Sequence, residues 1–350
     1  MNKDSKEFLI SLLETPSPSG FEAPVQKIVR DHMKKYADEI HTDLHGNVIV
    51  GINTKAKRKV MLAGHCDQIG FMVKSITNEG FIHVMAVGGI DAGVIPGSFA
   101  TIYSAKGPVE GVFGRKPIHL QSAEERSKMT LDVEKAWIDI GAKNKKEAEK
   151  FVEIGDPVTY KLEVVELKNN LICGPGLDDK SGLFVSMEAL KLASKMKLNV
   201  ALYAVSTVQE EIGLRGARTS AYSIDPEVGI AVDVTFASDN PGADPGKLSP
   251  CKLGGGPAIV KGPNSNPVVD KTLVALAKKL KIPYQLSPAG GALGNDANAI
   301  QVTKAGVAAG SIGLPNRYMH TQVEVCSLVD LENSAKLLAH FAASIKANTD

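Results

Sequence analysis

Two carboxylates stand side by side in Gly176-Leu177-Asp178-Asp179-Lys180-Ser181-Gly182, framed by glycines and followed by a helical run. An aspartate pair in a folded interior is costly unless positive charge meets it. Lys180 could supply part of that charge, and a pair of divalent ions could supply it more fully. The chain also places His65, Glu210, Glu211, Asp233 and His320 where apolar or glycine-marked segments give way to loops. A carboxylate-rich set with two histidines and no thiolate suits Zn²⁺, Co²⁺ or Mn²⁺. Two-metal hydrolytic sites hold their ions roughly 3.5–4 Å apart, a gap one carboxylate spans. Asp178 is the natural shared ligand, and five ligand residues then give each ion three protein contacts.

Taken singly, each group has a plainer reading. Asp178-Asp179 could cap a helix, Glu210-Glu211 could be an exposed charge pair, Asp233 could cap a turn, and His320 could be an ordinary loop histidine. His65-Cys66-Asp67 is weak evidence alone, although an extended segment would turn Asp67 toward the His65 ring and let it hold the imidazole. Adjacent Glu210 and Glu211 would face opposite ways in an extended segment. One would then bind metal, while the other takes a proton from water and returns it to a leaving amine.

The elements that must position these groups follow from apolar patterning. Val60-Met61-Leu62-Ala63-Gly64 is a continuous apolar run of the kind found in buried parallel strands. It ends at His65. Asn199–Val208 runs out into Gln209-Glu210-Glu211, and Val228–Val232 runs into Asp233. Ligands of open α/β sheets gather at such carboxyl ends. Helical spacing predicts helices over 23–37, from the aspartate pair to about 196, over 270–280 and at the end of the chain. A last buried strand is expected over 305–313. Between about 70 and 165 the texture changes to short β-type runs separated by glycines and prolines, with helical signal near 143–152. This reads as a β-barrel-like insert.

Composition narrows the partners. Lys and Arg number 40 against 39 Asp and Glu, so no single-sign field points to nucleic acid or an anionic membrane. The basic run Lys55–Lys59 reads as a solvated turn. No apolar stretch approaches the ~20 residues of a membrane span, and the polar start Met1–Glu7 lacks a signal-peptide core. Four cysteines without paired spacing fit reduced thiols and a cytoplasmic setting.

At these segments the chain resembles the tetrahedral, or glutamyl, aminopeptidase family of dinuclear metallopeptidases. The shared stretches are Gly64–Phe71, Gly176–Gly182, Gln209–Gly216, Val232–Thr235 and Arg317–Thr321, with Lys116–Leu120 in the insert. They lie in the same order along nearly the whole chain. The resemblance implies an α/β fold: a mixed-sheet catalytic domain made of residues 1–69 and 166–350, and an inserted β-barrel-like oligomerisation domain over 70–165. It implies two divalent ions per subunit, Zn²⁺ first with Co²⁺ or Mn²⁺ as alternatives. Asp178 would bridge them, with a cis peptide to Asp179. His65 and Asp233 would complete one ion, and Glu211 and His320 the other. Glu210 is implied as general base and acid, and Asp67 as the residue that steadies His65. The implied reaction is attack of a metal-bridging hydroxide on the first peptide bond of a substrate with a free N-terminus, in a homo-oligomer that is commonly a twelve-subunit shell. Cys66, Gln68, Lys180, Asn295 and Gln322 depart from the commonest family pattern. The last two are expected to border the substrate pocket, and His119 is a candidate for reaching a neighbouring site.

Three other readings carry their own tests. An N-acyl amino-acid deacylase or a carboxypeptidase would need a cationic anchor for a substrate carboxylate. A glycoside hydrolase using Glu210 with Asp178 or Asp67 would work without metal. A metal-dependent binding protein would show no activity with any metal.

Overall fold

A computed structural model describes residues 1–123, 133–244 and 246–347. Helices α1 (Lys3–Leu13) and α2 (Ala23–Met33) precede strands β1 (Glu39–Thr42), β2 (Val48–Ile52) and β3 (Lys59–His65). Six strands follow: β4 (Gly70–Ile76), β5 (Ile82–Val87), β6 (Phe99–Ser104), β7 (Gly107–Phe113), β8 (Trp137–Asp139) and, after the one-turn helix α3 (Lys145–Ala148), β9 (Pro157–Tyr160). They close into a barrel in the order β4-β5-β8-β7-β6-β9. Phe71, Phe113 and Tyr160 fill it, the Phe71 and Tyr160 rings meeting edge to face at 5.4 Å. The helical signal over 143–152 yields only α3. Asn144 caps it by accepting the Glu147 N–H, and the chain then turns into Gly155 and β9.

The chain returns to the first layer through β10 (Val165–Leu167), β11 (Leu171–Gly174), helix α4 (Leu177–Ala193), β12 (Ala201–Thr207), α5 (Arg215–Ile224) and β13 (Val228–Phe236). It finishes with β14 (Ala258–Lys261), α6 (Pro267–Leu280), β15 (Gln285–Pro288), α7 (Asp296–Gln301), β16 (Ala308–Arg317), β17 (Glu324–Ser327) and α8 (Leu328–Ser344). Among the described residues, eleven strands form one mixed sheet in the order β1-β2-β12-β3-β13-β16-β17-β11-β10, with β14 beside β16 and β15 beside β14. Its centre, β12-β3-β13-β16, is parallel.

Alternation along the central strands serves two cores. Val60 and Leu62 enter the larger core, with residues of α1, α2, α4, α6 and α8. Met61 and Ala63 enter the smaller one, with residues of α5 and α7. Both faces are covered, which is why these runs are apolar throughout.

Two helices are shorter than their periodicity predicts, α2 ending at Met33 and α4 at Ala193. Helix α6 starts earlier, at Pro267, because Asn266 accepts the Val268 N–H and proline suits the first turn. The last buried strand also differs. Strand β16 continues through Pro315 to Arg317, so the segment expected to be loop is still paired with β13 at Thr235 and Phe236.

Candidate metal centre

Parallel register brings the polar strand ends together. His65 lies beside Thr207, and Ala231 beside Ala63, which carries Asp233 to the same edge. The aspartate pair arrives on α4, which sits directly on the sheet because two glycines leave room. A Cβ on Gly64 would lie 2.3 Å from the Leu183 nitrogen, and one on Gly182 would lie 2.4 Å from the Val232 carbonyl oxygen. Asp178 and Asp179 have non-helical backbone angles, and the peptide between them is cis. Asp179 does cap the helix, its Oδ1 accepting the Gly182 N–H at 3.0 Å while its Oδ2 accepts the His65 N–H at 3.1 Å.

Asp178 lies between the two histidines. One carboxylate oxygen is 3.2 Å from His65 Nε2 and the other 3.2 Å from His320 Nε2. Glu210 and Asp233 approach His65 Nε2 at 3.7 and 3.9 Å. Glu211 approaches His320 Nε2 at 3.7 Å. Two candidate ligand groups result, His65–Asp178–Asp233 and Asp178–Glu211–His320, sharing Asp178. Glu210 and Glu211 both line the same cleft, contrary to the expectation of opposite faces, because the segment is not extended: Gln209 has φ 55° and turns the chain.

Asp67 holds this arrangement in a way its spacing did not indicate. His65 Nδ1 lies 2.9 Å from the Asp67 main-chain carbonyl and 3.5 Å from its carboxylate. A carbonyl only accepts, so Nδ1 carries a proton, and Nε2, which faces Asp178, is the nitrogen left to bind an ion once its own proton is displaced. The Asp67 carboxylate instead accepts the N–H groups of Glu210 at 3.0 Å and Glu211 at 3.2 Å, with Ser19 Oγ donating at 2.6 Å. Lys180 does not neutralise the aspartate pair. Its buried ammonium donates to the Thr15 carbonyl and to Gln68 Oε1, and burial pushes its pKa down to about 7.

The electrostatics fit cations. Burial, reinforced by Asp296 and by neighbouring Glu211 and Asp178, pushes Glu210 up to about 9, although His65 pulls the other way. Glu211 is likewise raised to about 9 by burial and Asp178, and burial raises Asp233 well above the carboxylate range. Asp178 is buried too, but hydrogen bonds from His320 and His65 overrule this and hold it far below the ordinary range. Burial opposes charging His65, yet Glu210, Asp178 and Asp67 together hold its pKa well above 6.5. Buried Glu211 Oε1 has no hydrogen-bond partner. Crowded carboxylates, imidazole nitrogens aimed inward and an unpartnered oxygen are what divalent ions would satisfy.

Two residues of this site carry no mark in the sequence. Glu324 accepts the N–H groups of both Asp178 and His320. Asp296 accepts from Thr207 Oγ1 at 2.6 Å, and burial raises it to about 6. Neither has a spacing that marks it. A cleft of about 610 Å³ opens over the cluster, with Leu214, Val234, Phe236, Val260 and Leu293 on its walls. Asn295 lines it, fixed by its bonds to Ser311 Oγ and the Ala297 N–H, whereas Gln322 does not. His119 is exposed on a single 3₁₀ turn and does not line the cleft.

A mixed sheet with an inserted barrel and this cluster at its edge defines a peptide hydrolase of the aminopeptidase class. Residues 46–337 match the sequence profile of the M42 glutamyl aminopeptidases, and the chain belongs to that family. The lysyl aminopeptidase of Pyrococcus furiosus is 37% identical, the match covering 97% of this chain and 97% of that protein. The TET aminopeptidase from the marine sediment archaeon Thaumarchaeota archaeon SCGC AB-539-E09 superposes with a TM-score of 0.93 at 33% identity, over 99% of this chain and 98% of that one. The Pyrococcus horikoshii TET1 peptidase, which can assemble into a tetrahedron or a large octahedral shell, gives 0.87 at 30% identity, over 97% of this chain and 100% of that one. Among the described residues, no helix is long and apolar enough to cross a membrane.

Proposed function

We propose that this chain is a metal-dependent aminopeptidase that removes the first residue from peptides with a free N-terminus. The observation that carries this reading is Asp178, with one oxygen turned to each imidazole at 3.2 Å. His65, Asp178 and Asp233 would hold one divalent ion and Asp178, Glu211 and His320 a second, with Zn²⁺ the first candidate and Co²⁺ or Mn²⁺ the alternatives. Ions held there would supply a Lewis acid for a scissile carbonyl and would lower the pKa of a bound water toward hydroxide.

The chain's own groups do the rest. Glu210 reaches the cleft beside His65, where it takes a proton from the attacking water and returns it to the leaving amine. Asp67 fixes the Glu210–Glu211 backbone, so the base and the neighbouring ligand move as one unit. The His65 tautomer is set by the Asp67 carbonyl. The apolar walls of the cleft shield the reacting bond from bulk water.

The catalytic part comprises residues 1–69 and 166–350, and the barrel over 70–165 serves assembly into a homo-oligomer. The shell-forming relative supports that assembly, and the four free cysteines fit a cytoplasmic setting. The test compares free-amine and N-acetylated peptides on protein stripped by chelation and refilled with Zn²⁺, Co²⁺ or Mn²⁺. Cleavage of the free-amine peptide only after refilling is expected. Turnover of the blocked substrate alone, or full activity after exhaustive chelation, would overturn the proposal.

A further inference from the structure

We propose that Glu324 is a positioning residue that clamps the segments carrying Asp178 and His320, and that it governs how tightly the His320 side of the site takes its ion. This rests on the two-ion reading above. Glu324 opens β17 and its side chain is buried, 2% exposed. Oε2 accepts the Asp178 N–H at 2.8 Å and Oε1 accepts the His320 N–H at 2.8 Å. One carboxylate thus joins the start of α4 to the loop after β16.

The ligands differ in how much else holds them. His65 is the last residue of β3, paired with Thr207 of β12. Asp233 lies within β13, paired with Gly313. Asp178 is held from the next residue, because Asp179 accepts from both His65 and Gly182. His320 belongs to no strand or helix. Its backbone is left-handed at φ 64° and its side chain is 35% exposed. Apart from its ring contacts with the carboxylates and with the Gly89 backbone, the loop is tied at this residue by the bond to Glu324.

Both Glu324 oxygens are in use as acceptors. A glutamine offers one acceptor and sets an NH₂ group against the other N–H. The loss is expected to fall on His320, which belongs to no strand or helix, more than on Asp178, whose neighbour Asp179 is itself held. Partners that orient a metal ligand from behind typically change metal affinity by 10–100-fold when mutated.

Full-length wild type, Glu324→Gln and Glu324→Asp are stripped of metal and titrated with Zn²⁺ by calorimetry. The melting temperature of each metal-free protein is measured alongside. Wild type is expected to take two equivalents. Glu324→Gln is expected to keep the tighter step within about threefold and to weaken the other by about 10–100-fold, at a metal-free melting temperature near that of wild type. Glu324→Asp is shorter and cannot reach both donors at once, so it is expected to weaken the same step. It decides the matter if the glutamine variant does not fold. Unchanged affinities in the variants would overturn the clamp. So would an equal fall of both steps together with a lower metal-free melting temperature. Wild-type protein taking one equivalent or none would instead sink the two-ion reading, and the clamp with it.

Discussion

Asp67 Oδ1 accepts the Glu210 backbone N–H at 3.0 Å, so a residue two places beyond the proposed ligand His65 sets the position of the proposed general base. Asp67→Ala leaves the Glu210 and Glu211 N–H groups without their acceptor in a buried setting. The expected result is a fall in kcat of about 10–100-fold, the range seen when groups behind a metal site are removed, with KM within a few-fold of wild type. Steady-state kinetics on a free-amine peptide would check it. A KM effect with kcat intact would mean that Asp67 serves substrate binding.

Glu210→Gln removes the proton carrier but keeps the shape of the side chain. General acid–base groups contribute typically 10²–10⁴-fold, so kcat is expected to drop by about that much. Metal content by elemental analysis should match wild type, because neither ligand group includes Glu210. An active variant would remove Glu210 from the chemistry.

Gly64→Ala tests how α4 is seated. The added Cβ would meet main-chain atoms, the Leu183 nitrogen at 2.3 Å and the Gly182 carbonyl carbon at 2.4 Å. Backbone cannot swing aside as a side chain does, so the helix bearing Asp178 must lift. Overpacking of this kind costs about 1–3 kcal/mol, occasionally more. A lower urea midpoint is expected, with loss of activity. An unchanged midpoint would show that α4 tolerates the shift.

Much of the fold is legible in the amino-acid sequence. Continuous apolar runs marked β3, β12 and β13, and their polar ends, His65, Glu210-Glu211 and Asp233, do meet at one sheet edge. What remained hidden depended on distances between remote segments. Glu324 lies in an ordinary stretch, and its importance comes only from two buried N–H groups that need acceptors. Lys180 looked like a partner for the aspartates beside it, but helical geometry turns its side chain toward Thr15 and Gln68. The shared outlook of Glu210 and Glu211 depends on the left-handed turn at Gln209, which no residue type there announces.

Stability should depend on pH through His32. Its ring stacks on Phe8 at 3.8 Å and its Nε2 is buried without a partner. Burial, with help from the Lys191 charge, pushes its pKa down to about 4. The unfolded chain binds a proton near pH 6.5, so between about 6.5 and 4 it holds more protons than the fold. The contribution is intact above pH 6.5 and is lost as pH falls toward 4. His32→Phe keeps the stack and has no such proton. Its melting temperature should therefore fall less than that of wild type between pH 6.5 and 4.5. Parallel curves would contradict the assignment.

The most direct test of the shared aspartate is anomalous diffraction from crystals of the protein loaded with Zn²⁺. The account predicts two peaks roughly 3.5–4 Å apart, one beside each oxygen of Asp178, the first within reach of His65 and Asp233 and the second within reach of Glu211 and His320. A single peak, or peaks that leave Asp178 uncoordinated, would contradict it.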